Sequence, residues 1–321
     1  MTRILIIIFL IVTTNIQAQT KELKLSSDVW PPFTNVEEEK SVAMDIVKQA
    51  LARIDINVNY SIVNFDEVLA GIGNGTYDGS AALWHTMERE KSLLFSKTYL
   101  QNQLILVGRK GNDVSATSFS GLKNKHIGIV EDYAYGDSLM IQEDIQIMYG
   151  KSDQQNVERL LSKKVDYILV DALLLQYLFK YQMNDVSEFL EIGKSPLLTK
   201  SLHFAIRKEI PDAENIISMF NDEIGKMISD GTYHEILELN WIRADIDGDG
   251  KFELVLKGEK AGVEAPDHTY DVFYSNQNES TNRFYINGKV YNSWDEVPNE
   301  SKIIIPKIEA QPNPDYIGIK F

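Results

Sequence analysis

The chain has 321 residues, with 47 acidic against 32 basic side chains, a formal net charge of -15 and no cysteine. Such a field repels phosphate backbones and anionic lipid, which makes nucleic acid and membrane surfaces poor partners while leaving room for a locally basic pocket. Without cysteine there are no disulfides and no thiol chemistry, so stability rests on apolar cores, which a chain of this length can build in two or three compact units.

Arg3, the apolar run 4–12 and the small residue Ala18 after Ile16-Gln17 have the layout of a secretory signal peptide. Residues 1–18 are therefore expected to be removed and the protein to be periplasmic or secreted. The run is short for a bilayer span, and no later segment approaches the roughly 20 apolar residues a transmembrane helix needs, so no membrane insertion is expected.

Past this leader, Leu23 to Ser26 alternates as a strand, and Ala43, Ile46, Val47, Ala50, Leu51 and Ile54 recur at helical spacing. Val58, Tyr60 and Ile62 alternate again. Asn64 with Glu67 marks a helix start, Phe65, Val68, Leu69 and Ile72 form its apolar face, and Gly73-Asn74-Gly75 stops it. Strands are predicted over 103–107, 127–130, 145–149, 167–170 and 203–206, and helices around 157–161, 173–181, 213–228 and 233–240, the last opened by Thr232 with Glu235. This alternation argues for an α/β fold with helices packed on mostly parallel sheets. Polar breaks at 108–113 and 195–200 predict two chain crossings and hence two lobes about a hinge.

Trp30-Pro31-Pro32-Phe33, Met44-Asp45-Ile46, Phe65-Asp66-Glu67-Val68-Leu69, Gly75-Thr76-Tyr77-Asp78-Gly79, Thr86-Met87-Glu88-Arg89, Phe95-Ser96, Gly121-Leu122-Lys123, Val165-Asp166, Asp171 and Gly231-Thr232-Tyr233 with Trp241 follow one another in a recognisable order. Together, over residues 22–243, they resemble the bacterial extracellular solute-binding protein family 3, the amino-acid-type periplasmic receptors of ABC importers. The resemblance implies a two-lobed type II periplasmic binding fold, each lobe a mixed, mostly parallel sheet flanked by helices. Lobe one would comprise 22–107 and 203–243, and lobe two 108–202.

In this family likeness Arg89 takes the ligand's α-carboxylate, for which its planar fork of donors is suited. Thr86 caps the short helix and is a second candidate contact. Asp171, at the end of a buried strand, either pairs with a ligand ammonium, as its counterparts do, or caps the helix that follows. Trp30, Phe65 and Trp84 would form aromatic walls, with core packing as the alternative for Phe65. Tyr133 and Ala134 would offer backbone N–H groups at the mouth of lobe two, although Glu131 and Asp132 precede them. Asp166 belongs to the lobe and not to the ligand.

The segment 244–321 lies outside this likeness and reads as a small β-rich appendage. Asp245, Asp247, Asp249, Lys251 and Glu253, with Gly250 at the sixth place, form a candidate Ca²⁺ loop over 245–253, whose alternative is an acidic turn without metal. Asn287-Gly288 between two alternating runs is a hairpin signal, and 303–305 reads as another strand.

The function these expectations describe is non-enzymatic: a monomer that captures a small carboxylate-bearing ligand, without a cofactor, and delivers it to an ABC permease. A ligand-sensing subunit signalling to a membrane kinase is the alternative, and a dehydratase-like or cell-wall enzyme a third. The five histidines show no metal spacing or triad signature.

Overall fold

The structure is a computed structural model that describes residues 21–36, 39–131, 133, 135–136, 139, 144–183, 186–246, 249, 251–256, 261, 270–271 and 283–302. The leader 1–18, Ala134, Asp247 and the expected strand 303–305 lie outside the described residues.

β1 (Lys21–Ser27) feeds α1 (Val42–Ala52), whose 3.6-residue stripe of Val42, Ala43, Ile46, Val47, Ala50 and Leu51 is buried. β2 (Ile56–Ile62) returns parallel to β1, and α2 (Phe65–Asn74) stops at Gly75 in the left-handed region, φ +84°. β3 (Gly79–Trp84) is buried along its whole length. Its start needs glycine, because a Cβ at Gly79 would stand 2.0 Å from the Ala205 carbonyl oxygen across the sheet.

After α3 (Met87–Glu90) and β4 (Leu93–Phe95), the long β5 (Leu100–Arg109) leads into β6 (His126–Val130), β7 (Gln146–Gly150), α4 (Asp153–Leu161), β8 (Tyr167–Asp171) and α5 (Ala172–Tyr181). β9 (Leu190–Arg207) carries the chain back to α6 (Ala213–Ser229) and α7 (Thr232–Leu237). The strands join in the order β2-β1-β3-β9-β5-β8-β6-β7, with β4 also on β9. β1, β2 and β3 pair parallel at one end, β6, β7 and β8 pair parallel at the other, and β5 and β9 run antiparallel through the middle. This is the expected α/β, two-lobed arrangement, each lobe built on a mixed sheet.

The join differs from the sequence expectation. The stretch 195–200, read as a polar break, is continuous strand, because β9 is 18 residues long and pairs with β5 from Leu190 to Leu202. Its polar side chains sit half-exposed while the ladder satisfies the backbone. The register shifts where Ile105 faces Pro196, the place where a residue without an N–H is tolerated. Helix α7 is also shorter than expected, ending at Leu237. Thr232 does not act as its cap: Gly231 holds that position, and the Thr232 hydroxyl accepts from Arg53 Nη2 at 2.7 Å.

The C-terminal segment forms a second sheet from β10 (Trp241–Ala244), β11 (Glu253–Leu256), β12 (Tyr270–Asp271), β13 (Arg283–Ile286) and β14 (Lys289–Tyr291), ordered β12-β10-β11-β13-β14. Asn287 (φ +52°) and Gly288 (φ +77°) make the expected two-residue hairpin. Leu254, Phe284, Ile286, Tyr291 and Val297 give this sheet its own core, with Trp241 and Trp294 at its edge. Ile242, Ala244 and Val255 join the main core instead, so the sheet is packed against the body of the protein.

Candidate functional site

The site begins where β3 ends. Trp84 closes the strand, and Thr86, extended at φ -141° and ψ 151°, accepts the Arg89 backbone N–H on its Oγ1 at 3.2 Å. That cap turns Arg89 back on the strand. Its Nη1 donates to the Trp84 carbonyl at 2.8 Å, and its guanidinium lies 5.3 Å from the centre of the Phe65 ring. Burial lowers the Arg89 pKa from its ordinary value, and among the described residues no carboxylate is ion-paired with it. A guanidinium does not give up its proton in a protein, so this half-buried cation is chemically suited to an anion.

Arg89 opens onto a cleft, partly open to solvent, whose other walls are Asp28, Trp30, Phe65, Trp84 and Tyr133, with Ala82 and Leu83 completing it. Tyr133, three residues past the end of β6, faces Trp30 and Trp84. Its ring packs edge-on to both, with centroids 5.6 Å apart in each case, and Trp30 meets Trp84 at 5.7 Å. Tyr135 extends the cluster behind Trp84 at 5.9 Å. The Trp84 Nε1–H donates to Asn102 Oδ1 at 2.6 Å, whereas the buried Trp30 Nε1 has no acceptor among the described residues.

Of the residues expected from the sequence, Trp30, Phe65, Trp84, Arg89 and Tyr133 therefore line one cleft, with Thr86 holding Arg89. Tyr133 enters with its ring, where the sequence reading had used only its backbone N–H. Asp171 is outside this wall. Its Oδ1 accepts from the N–H groups of Leu173 (2.8 Å) and Leu174 (3.2 Å), and its Oδ2 from Gln103 N (2.9 Å) and Asn102 Nδ2 (3.2 Å). Of its two readings, this geometry is that of the helix cap. Asp166 accepts the His126 N–H at 2.9 Å, a contact at the start of β6.

Three contributors were missed. Asp28 lines the cleft, and burial raises its pKa. Asp153 accepts from the Tyr133 hydroxyl at 3.4 Å, and its carboxyl is raised to about 7 by burial and then by the charge of Asp171. Asn102, on β5, joins Trp84 to Asp171. Asp28 had a usable signal, standing two residues before Trp30. Asp153 and Asn102 had none beyond ordinary helix-start and strand positions.

The calcium expectation finds no support among the described residues, and Asp247, the third position of the loop, lies outside them. Among the described residues no group of three or more His, Asp or Glu side chains could hold a metal ion. Instead, Arg283 brings a guanidinium to the acids: Nη1 meets Asp249 Oδ2 at 2.9 Å and Nη2 meets Glu253 Oε1 at 3.0 Å. Glu253 is fully buried and also accepts the Ile246 N–H, Asp249 accepts the Lys251 N–H, and Asp245 borders a groove against α6. The sequence spacing could not show that a cation 30 residues downstream folds onto these carboxylates.

Similarity to known proteins follows the same lines. The L-cystine-binding protein TcyJ of Escherichia coli (strain K12) is 23% identical over 222 residues, covering 68% of this chain and 80% of that protein. An ancestral arginine-binding protein bound to arginine shares the fold with a TM-score of 0.55 at 23% identity, covering 68% of this chain and 96% of that one. The VFT2 domain of Bordetella pertussis BvgS, as a double mutant, does so with a TM-score of 0.57 at 17% identity, covering 68% and 92%. The sequence profile described as bacterial extracellular solute-binding proteins, family 3, matches residues 24–243, well over half of the chain, and the protein belongs to that family.

Proposed function

We propose that this protein is an exported receptor that holds a small carboxylate-bearing ligand, an amino acid or a derivative, between its lobes and presents it to an ABC importer. The observation that carries this reading is Arg89, a half-buried guanidinium with no carboxylate partner among the described residues, set in an aromatic cleft. A carboxylate placed there gains a charge-assisted, bidentate bond worth about 1.5–3 kcal/mol. Relatives named for cystine and arginine support an amino acid as the ligand class.

Closure follows from contacts alone. Lobe one supplies Arg89, Trp30 and Trp84, lobe two supplies Tyr133, and a ligand touching both favours the closed form by its differential contacts. No bond is made or broken, and the family consists of binding proteins. The protein acts as a monomer, and residues 1–18 direct it to the periplasm or the exterior. A thermal-shift screen against the common amino acids tests the reading, since a ligand at 100 times its dissociation constant adds about 2.7 kcal/mol. A hit that Arg89→Ala abolishes supports it. A hit that survives Arg89→Ala unchanged removes Arg89 from the site.

A further inference from the structure

Helix α6 carries a glycine that its backbone does not require. Gly225 sits inside Ala213–Ser229, outside the left-handed region, and a Cβ built on it would meet nothing within 4 Å. Glycine is a poor helix former, kept where φ is positive or where another backbone comes close, and neither reason applies here. Gly225 instead lines a groove between α6, the segment 97–99 that leads into β5, and Asp245-Ile246 just past β10. Those last two residues lie beyond 24–243, the reach of the family profile, so the groove exists only where the C-terminal segment meets the family fold.

Its polar groups suit an anion. The Lys97 backbone N–H donates to Asn221 Oδ1 at 2.8 Å, which leaves the Asn221 Nδ2 donors to another group. The Lys97 ammonium, the Thr98 hydroxyl and Asn221 Nδ2 have no partner among the described residues. Asp245, the acid in the lining, is already engaged in a polar contact. Elsewhere on α6, Glu223 takes the Lys226 ammonium, and Asp222 stands outside the lining. The charge left over is one ammonium, beside two neutral donors. The rest of the groove is apolar: Ile224, Ile228 and Ile246 line it, and the Ser229 hydroxyl donates to the Gly225 carbonyl at 2.9 Å. From Asn221 to Ser229 the helix rises about 12 Å, room for a short hydrocarbon body.

We propose that this groove is a second binding site, separate from the cleft at Arg89, for a small molecule that carries one carboxylate on an apolar body. Lys97, Thr98 and Asn221 receive the carboxylate in a charge-assisted contact, and the body lies over Gly225 against the three isoleucines. A side chain at position 225 would stand in the space that the body takes, which accounts for the glycine.

The test is an amide-resolved NMR titration of the whole protein with hexanoate, hexanol and hexylamine, which share one chain and differ in head group. Hexanoate is expected to shift the amides of Lys97, Gly225 and Ser229 saturably and to bind at least about tenfold more tightly than hexanol, the equivalent of one charge-assisted bond. Lys97→Gln is expected to bring that ratio close to one, Gly225→Leu to abolish hexanoate binding, and Arg89→Ala to leave it unchanged. Hexanol or hexylamine binding as tightly as hexanoate overturns the proposal, as does a ratio that survives Lys97→Gln or binding that survives Gly225→Leu. Loss of the shifts in Arg89→Ala, or no shifts at tens of millimolar hexanoate, overturns it as well. Gly225→Leu also reports on its own fold. With open space over the glycine and a better helix former in its place, the ligand-free melting temperature is expected to match or exceed that of the wild type. A clear fall would show that the space is not free and would remove the groove as a site.

Discussion

The Trp84 indole N–H donates to Asn102 Oδ1 at 2.6 Å, and the amide of the same asparagine donates onward to Asp171 Oδ2 at 3.2 Å. Asn102 is fully buried on β5, one of the two strands that run through both halves of the sheet. One side chain thus ties a wall of the cleft to the cap of α5. Replacing it by Leu, of similar volume, strips the Trp84 donor and one Asp171 bond of their partners. A buried polar group left unsatisfied costs about 1–3 kcal/mol, so Asn102→Leu is expected to lower stability by roughly 2–4 kcal/mol in urea unfolding. An unchanged midpoint would show that the relay does not bear on the fold.

Arg89 should behave in the opposite way. Among the described residues its side chain hydrogen-bonds to the Trp84 carbonyl, and its own desolvation is unfavourable. Arg89→Ala is expected to leave the ligand-free midpoint within about 1 kcal/mol and to weaken ligand binding roughly 10–100-fold, the equivalent of a charge-assisted bond. Calorimetric titration alongside urea unfolding separates the two effects.

Asp153 and Asp171 give the protein a pH signature. Burial raises both carboxyls from 3.8 to about 7. The folded state therefore retains protons that the unfolded chain has released, and between about pH 4 and 7 this pair makes stability fall as pH rises. Asp153→Asn removes one of the two ionisations. The melting temperature of the wild type relative to this variant should drop between pH 5 and pH 8, and a constant difference would contradict the shift.

In the C-terminal sheet, Glu253 is fully buried against Arg283. Arg283→Met leaves that carboxylate without its guanidinium, and breaking a buried pair in this way costs about 3–5 kcal/mol. Trp241 and Trp294, which pack at the sheet's edge, would report the loss by fluorescence. Glu253→Gln in the same background should recover part of it.

The same pair predicts the metal response. With Asp249 and Glu253 held by Arg283, millimolar calcium added to chelator-treated protein is expected to leave the melting temperature unchanged. A rise on calcium addition, lost in Asp245→Ala, would reverse that conclusion.

Local chemistry made much of this protein legible in its sequence. The stripe through Ala43, Ile46, Val47 and Ala50 is a 3.6-residue pattern that only a helix buries on one face, and Asn287-Gly288 suits the left-handed turn it adopts. Thr86 and Arg89 are three residues apart, so the cap that orients the guanidinium is a short-range event. The tertiary structure alone decided the relations between distant residues. Trp84, Asn102 and Asp171 span 87 positions from first to last, Tyr133 and Asp153 meet by side chains on separate elements, and Arg283 folds back onto Asp249 and Glu253. The segment 195–200, opened by Ser195-Pro196 and closed by Thr199-Lys200, looks like a loop until a partner strand takes up its backbone groups. The physical reason is common to all these cases: periodicity and capping depend on neighbours within a turn or two, whereas burial of a charge, and the identity of what compensates it, depends on which segments pack together.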